Sequence, residues 1–214
     1  AQQFAVKPNG YVNYLLANEM PGTLASALRD AGLSSAVYST FDADEYGNAG
    51  SFTLYIDLTE SGVQNRDNVM GAVIKYLALL REKGVNPQYF KEIKQSLSNS
   101  FRFKEKTNDY SYAMKIAADL QHVPAEYVLS SAYEYQRFNP QVIQVVLDQL
   151  TLDNARIFYI DKQQTGEQNM EYFAGKYTVN DINLELEQKW QKLSSKFPLA
   201  LPRANDLMPA SFDL

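Results

Sequence analysis

The feature that most constrains this chain is the stretch at 68–90, NVMGAVIKYLALLREKGVNPQYF. Val69, Met70, Val73, Ile74, Leu77 and Leu80 fall on one side at helical spacing, with Lys75 and Glu82 opposite, beside Gly71. Ala72, Tyr76 and Leu79 widen the apolar arc. A helix with so broad an arc must lie across other structure, and a sheet is the expected layer. Asp67 near its start and Arg81 and Lys83 in its last turn suit the helix dipole. Gly84 is a natural stop, and Asn86-Pro87 then caps and opens a second helix.

At 214 residues the chain fits one large domain or a domain with a tail. Hydrophobic residues make up 45% and charged ones 21%, enough apolar material to bury a core. The net charge of −5, without a basic stripe interleaved with aromatics, argues against a nucleic-acid face. No run approaches the roughly 18 apolar residues of a membrane span, so no membrane partner is expected. Cysteine is absent, which excludes disulfides, thiolate metal sites and cysteine nucleophiles within these residues and leaves the compartment open. The 15 tyrosines suit packed surfaces with one wet edge, such as a partner surface or a peptide groove. The opening AQQFAVKPNG has no start methionine, and we expect a piece of a longer polypeptide.

Residues 11–17 read as a short helix arriving at a break over 18–22. Thr23 then caps a helix over 24–31 that Gly32 stops. Residues 33–41 read as a strand and 42–50 as turn chemistry. Residues 51–58 form a second strand, with Phe52, Leu54, Ile56 and Leu58 on one face, antiparallel to the first. A connection over 59–65 leads to the organising helix. Tyr89, Phe90, Ile93, Leu97 and Phe101 carry the helical period from 87 to 103, and further helices are expected over 109–120 and 124–132. Asn139-Pro140 opens another, burying Val142, Ile143, Val146, Leu147 and Leu150. Strands are expected at 154–160 and 172–179, a loop at 161–169, and a helix carrying Trp190 at 184–193. The end, FPLALPRANDLMPASFDL, reads as an extended linker wrapped on the surface.

Two adjacent strands, a run of helices and late strands define an α+β class, an antiparallel-rich sheet layered with helices. The sheet is thin for so many helices, and we expect it to lack N-terminal strands. The domain is expected to span 1–195, with 196–214 as a proline-rich exit segment. An exposed sheet edge of this kind favours self-association.

The inventory of chemistry is poor. A catalytic zinc site draws on two or three histidines with a carboxylate, whereas this chain holds one, His122, between a helix end and Pro124. A structural or solvent-facing role is expected for it. The turn from Asp42 through Asp44 and Glu45 to Gly47 begins like a calcium loop. Tyr46 in its fifth position and Thr53 in its twelfth break the pattern, leaving a solvated hairpin connection. The basic run RFKEK at 102–106 reads as a solvated helix end, with steering of an acidic partner as the alternative. The pairs Tyr110/Tyr112 and Tyr133/Tyr135 read as core or rim packing, with a cleft lining as the alternative. From these residues alone, no catalytic and no metal-ligating position is assigned.

An ordered set of short motifs goes further. EMPGTLASALRDAGL, the stretch from SFTLYIDLTESG through LREKGVNPQYFKEI, then SFRFKEK, VPAEYVL, LTLDNARIFYI and LPRANDLMPASFDL resemble the pitrilysin family, the insulin-degrading-enzyme type of zinc metallopeptidase. The resemblance covers essentially the whole chain. It implies a fragment of a clamshell enzyme built from four related α/β domains, corresponding to the second, non-catalytic one. The family's H-x-x-E-H zinc motif, which belongs to the first domain, is absent here, so no catalytic or metal role carries over; zinc is implied for the parent enzyme. Other domains of that enzyme and peptide substrates are the implied partners, and the bacterial periplasm the implied location.

The resemblance also implies a wall of a proteolytic chamber that catches the N-terminal end of a bound peptide. The matching positions are Val37, Tyr38, Ser39, Thr40 and Phe41 on a strand, with Asn18, Glu19, Pro21 and Gly22 in the neighbouring loop. An edge strand offers unpaired N–H and C=O groups to an extended peptide whatever its sequence; the alternative is that 33–41 is merely a paired strand. A second reading of the whole is a non-catalytic assembly module related to processing peptidases. An H-x-x-E-H upstream of Ala1 would favour the protease. The purified chain with zinc added is expected to turn over no peptide, and turnover of a short peptide that a chelator abolishes would overturn that expectation.

Overall fold

The computed structural model describes residues 6–45, 49–163 and 165–209. Helix α1, Pro8–Leu16, starts on a proline whose missing N–H would have been unpaired in any case. It buries Tyr11, Val12, Leu15 and Leu16. Helix α2, Leu24–Asp30, follows Thr23 and buries Leu24, Ala25 and Leu28. Both helices pack against strand β1, Ser34–Glu45.

Strand β1 pairs antiparallel with β2, Ala49–Leu58, in a register that sets Val37 opposite Ile56, Tyr38 opposite Tyr55 and Phe41 opposite Phe52. Val37 is buried, and Phe52, Leu54, Ile56 and Leu58 pack against the core. Tyr38, Thr40, Thr53 and Tyr55 line the opposite, exposed face. The strands reach further into the expected 42–50 turn than its composition implied, and its centre, 46–48, lies outside the described residues.

The expected 59–65 connection contains a short helix, α3, Glu60–Gln64, whose first turn is capped by Thr59 Oγ1 accepting from the Gly62 N–H at 3.0 Å. Helix α4, Arg66–Lys83, is the organising helix, but its buried set differs from the expected one. Val69, Gly71, Ala72, Val73, Tyr76 and Leu80 are buried, while Ile74 and Leu77 are only half-buried. Gly71, expected on the polar side, sits inside because α4 is covered on a second flank. Its most extensive partner is another helix, α8, Leu184–Ser194, where a sheet was expected; it also meets α2 and the helix Pro140–Asp148.

A Cβ at Gly71 would lie 2.9 Å from the Ser194 nitrogen and 3.0 Å from the Trp190 carbonyl oxygen, so glycine alone permits this approach. At the start of the same seam Asp67 accepts from Lys189 Nζ at 2.5 Å and Trp190 Nε1 at 2.8 Å. Burial raises the Asp67 carboxyl, but these two bonds and the charges of Lys189 and Arg66 outweigh it, and the carboxyl titrates below its usual range.

Helix α5, Pro87–Arg102, is capped by Asn86 and buries Tyr89, Phe90, Glu92 and Ile93. Phe101, expected on its inner face, is exposed. Helix α6, Asp109–Asp119, buries no residue. The expected helix over 124–132 shrinks to a 3-10 turn, Ala125–Tyr127. Helix α7, Pro140–Asp148, capped by Asn139, buries Ile143 and Leu147 completely against α1 and α4.

The expected strand at 154–160 has no ladder partner among the described residues. Phe158 is 82% and Ile160 93% exposed there. The expected strand at 172–179 and loop at 161–169 contribute a two-residue hairpin, β3 (Gln168–Asn169) with β4 (Lys176–Tyr177).

The segment after α8 is more than a surface wrap. Phe197 and Pro202 are buried, and Leu199 and Leu201 pack on the core. Tyr11 donates to the Asn86 carbonyl and accepts from the Asn86 N–H, and Tyr76 donates to the Leu15 carbonyl at 2.9 Å. Burial pushes the Tyr11 phenol up to about 12, against the opposing effect of its bond to Asn86, and raises Tyr76 and Tyr135 as well. The whole is an α+β fold of small antiparallel sheets and helices.

Gly71→Ala is expected to cost about 1–3 kcal/mol by forcing α4 and α8 apart. Gly10→Ala, in α1, would bring a Cβ only to 3.7 Å from Lys7 Cβ. That change is expected to be neutral or to gain up to about 1 kcal/mol. Urea unfolding midpoints of the two variants check the contrast.

Candidate functional site

Of the positions singled out in the sequence, the structure brings Glu19 of the loop and Val37 of β1 together at one corner of the molecule, where both line a single recess. On β1, Val37 points into the core, while Tyr38 lies on the open face, stacked on Tyr55 with ring centroids 4.8 Å apart. Ser39 Oγ donates to Asn13 Oδ1 at 2.8 Å, anchoring the strand to α1. Thr40 is exposed, and Phe41 is an exposed ring tilted against Phe52 at 5.8 Å. Among the described residues β1 has one ladder partner, β2, so its other edge carries N–H and C=O groups without strand partners.

The loop beside this edge is built by its own hydrogen bonds. Asn18 Oδ1 accepts from the Met20 N–H at 2.9 Å. The buried Thr23 hydroxyl reaches back to the Asn18 and Met20 carbonyls at 2.7 and 2.8 Å. Thr23 directs its hydroxyl proton to the loop, and, contrary to the expected cap, its side chain accepts no bond from the first turn of α2. Pro21 is exposed at the apex, and Gly22 holds a φ of 89°, a left-handed conformation that side chains rarely adopt.

Glu19 is the charged group of the corner. Its carboxylate receives Arg29 Nη1 from the last turn of α2 at 3.0 Å, with both side chains more than half exposed. The two residues border a recess of about 70 Å³ whose remaining walls are Ala25, Ser34, Ser35, Ala36 and Val37. Sequence reasoning did not find Arg29 or the serines, because they come from α2 and from the irregular start of β1. The backbone there shifts register between Ser34 and Ala36, and the Ser34 hydroxyl donates to the Ala36 and Asp57 carbonyls.

The other candidates separate. His122 is exposed beyond the end of α6. Asp42 and Thr53 both lie in ladder pairs, opposite Ser51 and Thr40. Lys104 sits over both Tyr112 and Tyr133, at 5.6 and 5.7 Å from the ring centroids, and Phe101 tilts against Tyr133. Tyr110 is exposed, whereas Tyr135 is buried and stacked on Phe90. Among the described residues no three His, Cys, Asp or Glu side chains converge as metal ligands. With one histidine in the chain, this donor set does not fit zinc.

Comparison with known proteins identifies the family of the chain. Residues 2–97 match the peptidase M16 inactive domain, and residues 101–214 match the middle or third domain of peptidase M16. A crystal structure of pitrilysin superposes with a TM-score of 0.94 at 32% identity, covering 99% of this chain and 23% of that one. The architecture is thus that of a peptidase segment. The chain belongs to the pitrilysin and insulin-degrading-enzyme family, peptidase M16.

Protease 3 of Salmonella typhimurium is 34% identical over 212 residues, covering 99% of this chain and 22% of that relative. The insulin-degrading enzyme of Homo sapiens is 30% identical over 211 residues, 97% and 20% respectively. The chain spans about a fifth of the length of the relatives it matches. The two family matches meet inside α5.

An exposed ion pair of the Glu19–Arg29 kind contributes little to folding. Arg29→Ala is expected to change stability by less than about 1 kcal/mol in urea unfolding, leaving Glu19 in place to engage another cation.

Proposed function

We propose that this chain is a non-catalytic, peptide-binding part of a zinc-dependent metalloendopeptidase that degrades peptides. In this reading it forms one wall of the substrate chamber. Other domains of the longer enzyme are its partners, and they supply the zinc chemistry. The Gram-negative periplasm is the proposed location, a reading supported by its likeness to Protease 3 of Salmonella typhimurium and Escherichia coli. The description of the matching family domain as inactive and the poor fit of the donor set to zinc support the division of labour.

One observation carries the proposal: Glu19 and residues 34–37 of β1 line one recess, and among the described residues β1 has no ladder partner besides β2. An extended peptide adding to that edge gains main-chain hydrogen bonds that do not depend on its sequence. Its terminal ammonium then meets Glu19, replacing the Arg29 guanidinium in a charge-assisted bond. Val37 shapes the recess from the core side, and Tyr38, Thr40 and Phe41 present side chains along the bound peptide. Asn18, Pro21 and Gly22 fix the loop that carries Glu19.

Fluorescence anisotropy tests this with an extended peptide labelled at its C-terminal end. The peptide with a free amino terminus is expected to bind about tenfold more tightly than its acetylated form, and Glu19→Gln is expected to abolish the difference. Equal binding of the two peptides by the unaltered chain would reject the proposal.

A further inference from the structure

We propose that the segment after α8 acts as a strap that holds the Glu19-bearing loop in its peptide-receiving shape, with Ala200 as the positioning residue. This rests on the peptide-binding reading above. The strap is fastened along its length. Lys75 of α4 donates to the Phe197 carbonyl at 2.6 Å, and Tyr89 of α5 donates to the Pro202 carbonyl at 2.7 Å. Further on, the Asn205 N–H donates to the buried Glu92 carboxylate at 3.1 Å.

Between the first two anchors, the Ala200 N–H donates to the Gly22 carbonyl at 2.8 Å. This backbone bond ties the loop's last residue to the strap. The contact is also sterically close: a Cβ at Gly22 would lie 3.2 Å from Ala200 Cβ. The Asn18, Met20 and Thr23 bonds make the loop a closed unit, so a shift of the Gly22 carbonyl moves the unit as a whole, Glu19 included. Glu19 borders the recess and Ala200 does not, so Ala200 acts through the loop and touches no peptide.

The test uses the full chain and two readouts. Ala200→Pro removes the donor N–H. Hydrogen–deuterium exchange at the Met20 and Thr23 amides is expected to rise about fivefold, the factor corresponding to one net hydrogen bond. Affinity for the amino-free peptide is expected to fall by the same factor of about five, while that for the acetylated peptide holds. Ala200→Gly keeps the N–H and is expected to restore both readouts. If Ala200→Pro does not fold, Tyr89→Phe loosens the strap at its next anchor and is expected to move both readouts in the same direction.

Unchanged exchange at Met20 and Thr23 would overturn the proposal. So would raised exchange with an unchanged preference for the amino-free peptide. If the unaltered chain shows no such preference, the peptide-binding reading fails on its own, and the exchange measurement alone decides whether the strap holds the loop.

Discussion

Helices α2, α7 and α8 all pack on α4, which can serve as their common support because it is covered on two flanks. On one, Gly71 brings the α8 backbone within reach, and Asp67 gathers the indole N–H of Trp190 and the Lys189 ammonium. On the other, Tyr76 passes through the core to the Leu15 carbonyl of α1. Polar side chains extend the frame beyond the apolar contacts: Lys75 reaches the Phe197 carbonyl and Arg81 the Leu150 carbonyl. A bare helix would offer carbon to its neighbours; this one also satisfies carbonyls of the irregular segments around it. That is why loops can lie so close to the core here.

The elements legible in the sequence are those with local causes. Asn86-Pro87 and Asn139-Pro140 mark α5 and α7 because the asparagine side chain accepts from the first turn and the proline lacks an N–H to strand. The alternation of Phe52, Leu54, Ile56 and Leu58 marks β2 because the pleat puts them on one face. Non-local causes hid the rest. The phase of α4 depends on α8, more than a hundred residues away, so Gly71 read as solvent-side. At 154–160, Ile157, Phe158 and Ile160 have strand propensity, yet propensity expresses packing against neighbours and no ladder partner lies among the described residues. Three prolines made the final stretch read as irregular, which residues 197–209 are, and therefore as exposed, which Phe197 and Pro202 are not.

The candidate site was legible only through the family likeness. No periodicity or spacing singles out Val37 to Phe41 or the loop at 18–22. Arg29, Ser34 and Ser35 were missed because the recess is assembled from α2, the loop before it and an irregular strand start. Only tertiary packing brings those three pieces together. Glu19 and Arg29 sit ten residues apart, outside any helical or strand period, and their meeting is a property of the turn that Gly22 makes.

Glu92 illustrates how a buried carboxylate restricts its own replacement. One oxygen accepts from the Tyr14 hydroxyl at 2.8 Å; the other accepts from Gln88 Nε2 and the Asn205 N–H, both at 3.1 Å. An isosteric carboxamide could occupy the same volume in only one of its two flips. With its NH2 toward Gln88 and Asn205 it would set donor against donor; with its NH2 toward Tyr14 it would face a hydroxyl that can rotate and accept. An amide at this position would thus be orientation-locked, and the phenol would have to reverse its hydrogen-bonding sense.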